Sequence, residues 1–77
     1  MNKQGRKSIE NIIGKIEDIK SDLEFMQEDE TEKLDNMPEN LQDSERAEQM
    51  QTAIDQIEYA CDSLQEAIDN LQEIVDQ

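Results

Sequence analysis

Residues 47–77 read AEQMQTAIDQIEYACDSLQEAIDNLQEIVDQ, and this stretch decides the fold. Its apolar residues are spaced alternately three and four apart, and they are Ala47, Met50, Ile54, Ile57, Cys61, Leu64, Ile68, Leu71 and Val75. Such spacing marks positions a and d of a seven-residue coiled-coil repeat, whose side chains face a neighbouring helix. The segment therefore predicts one long amphipathic helix over about residues 45–76.

Small or apolar residues also occupy the position beside this stripe in every repeat. They are Ala53, Ala60, Ala67 and Ile74. They widen the apolar face and allow close approach of a second helix. The pattern therefore predicts that this helix has more than one helical neighbour.

The N-terminal half carries a similar stripe. Its members are Ile9, Ile12, Ile16, Ile19, Leu23 and Met26, with Ile13 beside them. They predict a first helix over about residues 7–35. Beyond Met26, Glu30 and Lys33 fall on the stripe and acidic residues crowd residues 28–32, so we expect the helix to shift register or fray there.

The connector, residues 36–44, contains Pro38, which disfavours helix in the residue before it. Asp43 or Ser44 can cap the second helix, and Leu41 is expected to fold inward from an isolated helical turn. The connector is long enough for the second helix to run back antiparallel to the first. We predict a register in which facing residue numbers sum to about 84, so that Leu23 faces Cys61.

The predicted fold is all-α, with residues 1–77 forming one antiparallel two-helix hairpin. A single hairpin would leave an apolar edge uncovered, formed by Ile13, Ala53, Ala60, Ala67 and Ile74. Pairing of two hairpins into a four-helix bundle would cover that edge, so we predict a homodimer. The alternative is a marginally stable monomer that folds when it binds its partner protein.

The amino-acid composition excludes several classes of functional site. The chain has 77 residues, of which 34% are hydrophobic, with no His, one Cys and two Gly. These counts exclude catalytic triads, thiolate–imidazole zinc sites and glycine-rich phosphate loops, so we expect neither an enzyme nor a metal or cofactor. Cys61 lies on the stripe and is expected to pack as a small apolar residue.

Charge indicates the type of partner. There are 21 acidic and 7 basic residues, for a net charge of -14. This field repels nucleic acid and anionic membranes and favours basic protein surfaces. No apolar run approaches the length of a membrane span, and the lone thiol fits a reducing compartment, so a cytoplasmic location is expected.

The second helix carries a repeating row of carboxylates. The members are Asp55, Glu58, Asp62, Glu66, Asp69 and Glu73, and residues 47–77 contain no Lys or Arg. A soluble helix usually mixes signs on its outer face, because Glu–Lys pairs stabilise it. The row is therefore either a solvated face or a surface that imitates a nucleic acid backbone toward a basic groove.

The two aromatic residues, Phe25 and Tyr59, fall off the apolar stripes. Their numbers sum to 84, which places them at one level of the predicted hairpin. They are interpreted as dimer contacts, partner contacts or incidental exposed residues.

Residues 35–50, DNMPENLQDSERAEQM, lie between the two acidic amphipathic helices. In this arrangement the chain resembles small acidic helical-hairpin proteins encoded by phages and prophages of Firmicutes. The resemblance implies a phage setting, in which small acidic proteins often bind and disable a host factor, including nucleases of antiviral systems.

Two functions follow as hypotheses. The first is an inhibitor, similar to an anti-CRISPR protein and a partial DNA mimic, that occupies the basic surface of a host nucleic-acid-binding protein without binding nucleic acid itself. The second is a structural or assembly adaptor that holds a partner helix in an apolar groove.

Overall fold

The computed structural model describes residues 1–77, and they form two long helices joined by a short connector. Helix α1 spans Lys3–Asp35, a 3-10 turn spans Glu39–Leu41, and helix α2 spans Glu45–Val75. There are no strands. The helices pack antiparallel along their length, so the molecule is a rod whose principal extents are 59 × 14 × 13 Å.

Side-chain caps set the beginnings of both helices. The Asn2 side chain accepts a hydrogen bond of 2.8 Å from the Gly5 amide, so α1 begins at Lys3 rather than near residue 7. Ser44 caps α2 by accepting a bond of 3.2 Å from the Ala47 amide. Leu41 does not fold inward as predicted, because it is 46% exposed in a turn that contributes no buried residue.

The predicted fraying of α1 around residues 28–32 is wrong. The helix is continuous there, and Lys33 reaches two of the carboxylates, Asp29 at 3.2 Å and Glu30 at 3.7 Å. The Thr31 hydroxyl also donates a 2.8 Å hydrogen bond to the Gln27 carbonyl. One cation between two anions thus offsets part of the repulsion that the sequence indicates.

Helix α2 turns its predicted stripe toward α1. Four of the five buried residues of the whole chain lie on it, and they are Ala47, Ile54, Cys61 and Ile68. The alternate members of the stripe are half-buried, namely Met50, Ile57, Leu64 and Leu71. The a positions therefore form the centre of the contact and the d positions one of its sides.

Helix α1 is rotated relative to its predicted face. Ile13, expected at the open edge, is the one buried residue of α1 at 5% exposure, whereas Ile12, Ile19 and Met26 are 44%, 52% and 58% exposed. The reason lies at the far end of the helix. The row through Ile12 reaches Lys33 after three repeats, while the row through Ile13 reaches Leu34. Only the second row keeps an apolar residue inward beside the connector.

Two polar contacts join the helices across the seam. The Gln27 side-chain amide donates a 3.2 Å hydrogen bond to the Ile54 carbonyl, and the Cys61 Sγ lies 4.0 Å from the Lys20 carbonyl. In both pairs the residue numbers sum to 81, three below the predicted 84, whereas Met26 and Ile57, which line one cleft, sum to 83. The rotation that turns Ile13 inward also brings Lys20 and Gln27 against α2.

Candidate functional site

A regular pattern of Gln–Asp pairs lies along α2. The Gln51 amide donates to Asp55 at 2.9 Å, that of Gln65 to Asp69 at 2.9 Å, and that of Gln72 to Asp76 at 3.1 Å. Each pair is four residues apart, one helical turn, which is the spacing at which side chains meet on a helix. The pairs hold three aspartates in place without neutralising them.

The remaining repeat of α2 breaks this pattern. Glu58 stands where the other repeats have Gln, so it lies one turn before Asp62 with no donor between the two carboxylates. Both side chains are exposed. In this repeat, two carboxylates therefore lie one turn apart and repel each other.

No carboxylate of α2 takes part in an ion pair. All three ion pairs lie within α1, between Lys20 and Glu24 at 3.9 Å, Lys33 and Asp29 at 3.2 Å, and Lys33 and Glu30 at 3.7 Å. Of the acidic residues singled out from the sequence, Asp55 is half-buried and five are exposed: Glu58, Asp62, Glu66, Asp69 and Glu73.

The structure adds two carboxylates from α1 to this surface. Glu17 and Glu24 line a cleft of about 230 Å³ together with Gln65, the residue that bonds Asp69, and with Lys20, which pairs with Glu24 at 3.9 Å. We call this side of the hairpin the acidic flank; it comprises Glu17, Glu24, Asp55, Glu58, Asp62 and Asp69. The α1 members are not predictable from the sequence pattern, because their position depends on the rotation of α1.

The opposite side of the hairpin carries a row of exposed apolar side chains. Met26 and Ile57 line one cleft of about 230 Å³ there, together with Asp29, Glu30 and Lys33. Ile12 and Ile19 precede Met26 by two repeats and one, so they project from the same side of α1. On α2, Ala53 and Ala60 lie beyond Ile57, away from the buried seam. We call this side the apolar flank; it comprises Ile12, Ile19, Met26, Ala53, Ala60, Ala67 and Ile74.

The residues predicted to contact a partner or a second copy separate in the structure. Ala53 and Ala60 are exposed and Ala67 is half-buried, all on the apolar flank. Ile13 is not available for such a contact, because it is buried against α2 within the hairpin.

The aromatic residues do not form one surface. Phe25 is 74% exposed and Tyr59 61% exposed. Phe25 lies two residues from both Leu23 and Gln27, which face α2, so it projects away from α2. Tyr59 lies two residues from Ile57 and Cys61 and projects away from α1. They therefore sit at similar heights on opposite sides of the rod.

Two neighbouring carboxylates shift the titration of Lys33. Hydrogen bonding to Asp29, with the added charge of Asp29 and Glu30, raises the pKa of Lys33 above its ordinary value of 10.5. The side chain is exposed and borders the same cleft as Met26. It remains a fixed positive charge at the connector end of the apolar flank.

Cys61 is a buried free thiol. No three side chains of the His, Cys, Asp or Glu type converge in a way that could hold a metal ion. Neither helix has a stretch long and apolar enough to traverse a lipid bilayer. Comparison of the chain with protein-family models, curated proteins and solved structures found no match.

Proposed function

We propose that this protein is a binding module that blocks the basic, nucleic-acid-binding surface of another protein. The observation that carries the proposal is the acidic flank, where the carboxylates of α2 form no ion pair and the helix has no Lys or Arg after Arg46. A surface that needed only solubility would gain stability from mixed charges. The four repeats of residues 47–77 lack this stabilisation, because they contain no Lys or Arg.

The spacing of the charges supports imitation of a nucleic acid. Asp55, Asp62 and Asp69 are seven residues apart, which is about 10.5 Å along a helix. Phosphates of one DNA strand advance about 3.4 Å each along the duplex axis, so the aspartates match about every third phosphate. A row of Lys and Arg side chains that holds a nucleic acid backbone can meet the same periodicity on α2.

We also propose where this protein acts and in which oligomeric state. A phage-encoded protein with this surface would act in the host cytoplasm, by binding rather than catalysis, on a DNA-binding host protein such as an antiviral nuclease. It would act as a homodimer in the form of a four-helix bundle, which covers the apolar flank and leaves the acidic flank free.

A pulldown from bacterial lysate tests the acidic flank. Tagged protein is incubated with lysate at low salt, and retained proteins are eluted with a short DNA duplex. We expect DNA to displace the main bound protein and salt above about 0.5 M to release it, because both compete with carboxylates at a solvated surface. A bound protein that neither DNA nor salt displaces would contradict the proposal.

Charge-reversal variants locate the surface. Asp62→Lys with Asp69→Lys is expected to abolish capture. The control, Asp18→Lys with Glu32→Lys, makes the same change of charge on exposed positions of α1 outside the acidic flank and should retain it. Asp55 is left unchanged because it is half-buried and bonded to Gln51. Equal loss in both variants would show that total charge, not the flank, determines binding.

The apolar flank favours a second candidate function, an adaptor that holds a helix of another protein. Ile19 at 52% and Met26 at 58% exposure are large apolar groups that such a helix would cover. For an adaptor, Ile19→Asp would abolish capture of the partner, whereas reversal of Asp62 and Asp69 would leave it intact. The two sets of variants therefore separate the two functions in one assay.

A further inference from the structure

The hairpin exposes more surface than a chain of its size normally does. Its accessible surface is 5913 Å², whereas a compact monomer of 8.9 kDa exposes about 4800 Å². Only 5 of its 77 residues are buried. Stable interfaces bury about 1,200–2,000 Å² in total, or about 800 Å² on each partner, so the excess of roughly 1,100 Å² per copy is enough for the pairing of two copies.

The border of the apolar flank on α2 carries no charge. In each repeat the position next to it holds an exposed neutral residue, and these are Gln49, Gln56, Ser63 and Asn70. The aspartates occupy the position before, on the other side of the helix. Two copies of α2 can therefore approach through this border without bringing carboxylates together, although the helix is strongly acidic.

The corresponding border on α1 is charged and self-complementary. Its exposed residues are Ser8, Lys15, Asp22 and Asp29. Lys15 and Asp22 lie one on each side of Ile19. When two α1 helices cross antiparallel at Ile19, Lys15 of each lies beside Asp22 of the other, and Ile12 of each lies near Met26 of the other.

The wider charge distribution favours the same orientation. Residues 1–20 carry five basic and three acidic groups, and residues 21–35 carry one basic and seven acidic groups. An antiparallel crossing places the positive half of each α1 beside the negative half of the other. A parallel crossing would place halves of the same charge beside each other.

We infer that a second copy of this chain covers the apolar flank, with α1 packed antiparallel on α1 about a two-fold axis near Ile19 and α2 on α2. This inference rests on the homodimer of the proposed function and specifies its geometry. The contact is isologous, as most dimer contacts are. The two acidic flanks then lie on the outer sides of the bundle, free for the proposed target.

Charge exchange at the two-fold axis tests this geometry. Oligomeric state is measured by sedimentation equilibrium for Lys15→Glu, Asp22→Lys and the double variant. Each single variant should raise the dimer Kd about tenfold, because a like-charge pair replaces each of two ion pairs. The double variant keeps the net charge and should restore the Kd of the unmodified protein. Lys7→Glu, which lies beside Glu10 away from this flank, should leave the Kd unchanged.

Crosslinking provides a readout that does not depend on charge. In a Cys61→Ala background, Ile19→Cys should form an intermolecular disulfide on oxidation, because the axis brings the two copies of residue 19 together. Phe25→Cys, exposed on the outer side of α1, should not.

Three outcomes would overturn the inference. They are a monomer at millimolar concentration, a dimer in which the double variant stays as weak as the single ones, and a dimer in which residue 19 does not crosslink. The second and third would indicate that α1 packs on α2 of the other copy or that another surface is used. None of these variants alters the acidic flank, so failure of the dimer geometry and failure of target binding are distinguishable.

Discussion

At the scale of single residues, Glu58 is the position where stability and the proposed function conflict. Three of the four repeats stabilise their aspartate with a glutamine one turn earlier, at 2.9–3.1 Å. The repeat in the middle of the acidic flank has two exposed carboxylates instead. If the acidic row were only a solvated face, glutamine at residue 58 would serve it better.

We therefore predict that Glu58→Gln stabilises the protein by about 0.3–0.5 kcal/mol, because it replaces a like-charge pair with a hydrogen-bonded one. The free energy of unfolding is measured by urea denaturation followed by circular dichroism. The reverse change, Gln51→Glu, is the control and should destabilise by a similar amount. Target capture by Glu58→Gln should fall while stability rises; a gain in both would argue against the acidic flank as the binding surface.

Lys33 gives a second prediction at this scale. Its pKa is raised chiefly by Asp29. Whatever this contact contributes to stability is present below pH 10.5, where Lys33 is charged in both folded and unfolded chains, and is lost as pH rises through the raised value. Asp29→Asn should lower the pKa of Lys33 toward 10.5, measured by NMR titration of its Cε resonance. A Lys33 pKa unchanged by this substitution would contradict the ion pair.

At the scale of the helices, the sequence predicted α2 better than α1 for a physical reason. Helix α2 has one stripe of large apolar residues running its full length, and the row beside it consists mostly of alanines, so the stripe itself is buried. Helix α1 has isoleucines at both 12 and 13, which lie on two different stripes. The choice between them depends on Leu34 and on packing along the whole hairpin, and no local pattern expresses that dependence.

The same limit explains what was missed in the candidate site. The acidic row of α2 follows directly from its seven-residue repeat and was predictable. The contribution of Glu17 and Glu24, and the exposure of Ile19, follow from the rotation of α1 and required the structure. The spacing of the residues thus predicts where along a helix each side chain lies. It predicts which way the side chain faces only for a helix with one dominant apolar stripe.

Gly14 is a weak point within α1 that can be strengthened. A methyl group added there would meet no atom within 4 Å. We predict that Gly14→Ala stabilises by about 0.8–1 kcal/mol, the difference in helix propensity, and raises Tm by about 4–8 °C. Gly5→Ala is the control and should gain less, since its added carbon would lie 2.5 Å from the Met1 Cγ at the helix end. Equal gains would contradict this account.

At the scale of the whole molecule, the net charge of -14 acts in opposite directions on stability and on binding. Carboxylates repel one another within the hairpin and between two copies in a bundle, whereas they attract a basic target. Salt screens both interactions once the Debye length, which is about 10 Å at 0.1 M ionic strength, falls below the spacing of the charges.

We therefore predict that raising NaCl from 0.05 to 0.5 M increases Tm by about 5 °C while it weakens target binding at least tenfold. Differential scanning fluorimetry and binding titrations on the same samples measure the two effects. The variant with Asp62→Lys and Asp69→Lys has lost part of the repulsion and should show a smaller increase in Tm. A Tm that falls with salt would mean that attractive pairs, such as those of Lys33 or Lys15, outweigh the repulsion. Binding that strengthens with salt would mean that the target is held by the apolar flank, since burial of Ile19 and Met26 is favoured rather than screened at high ionic strength.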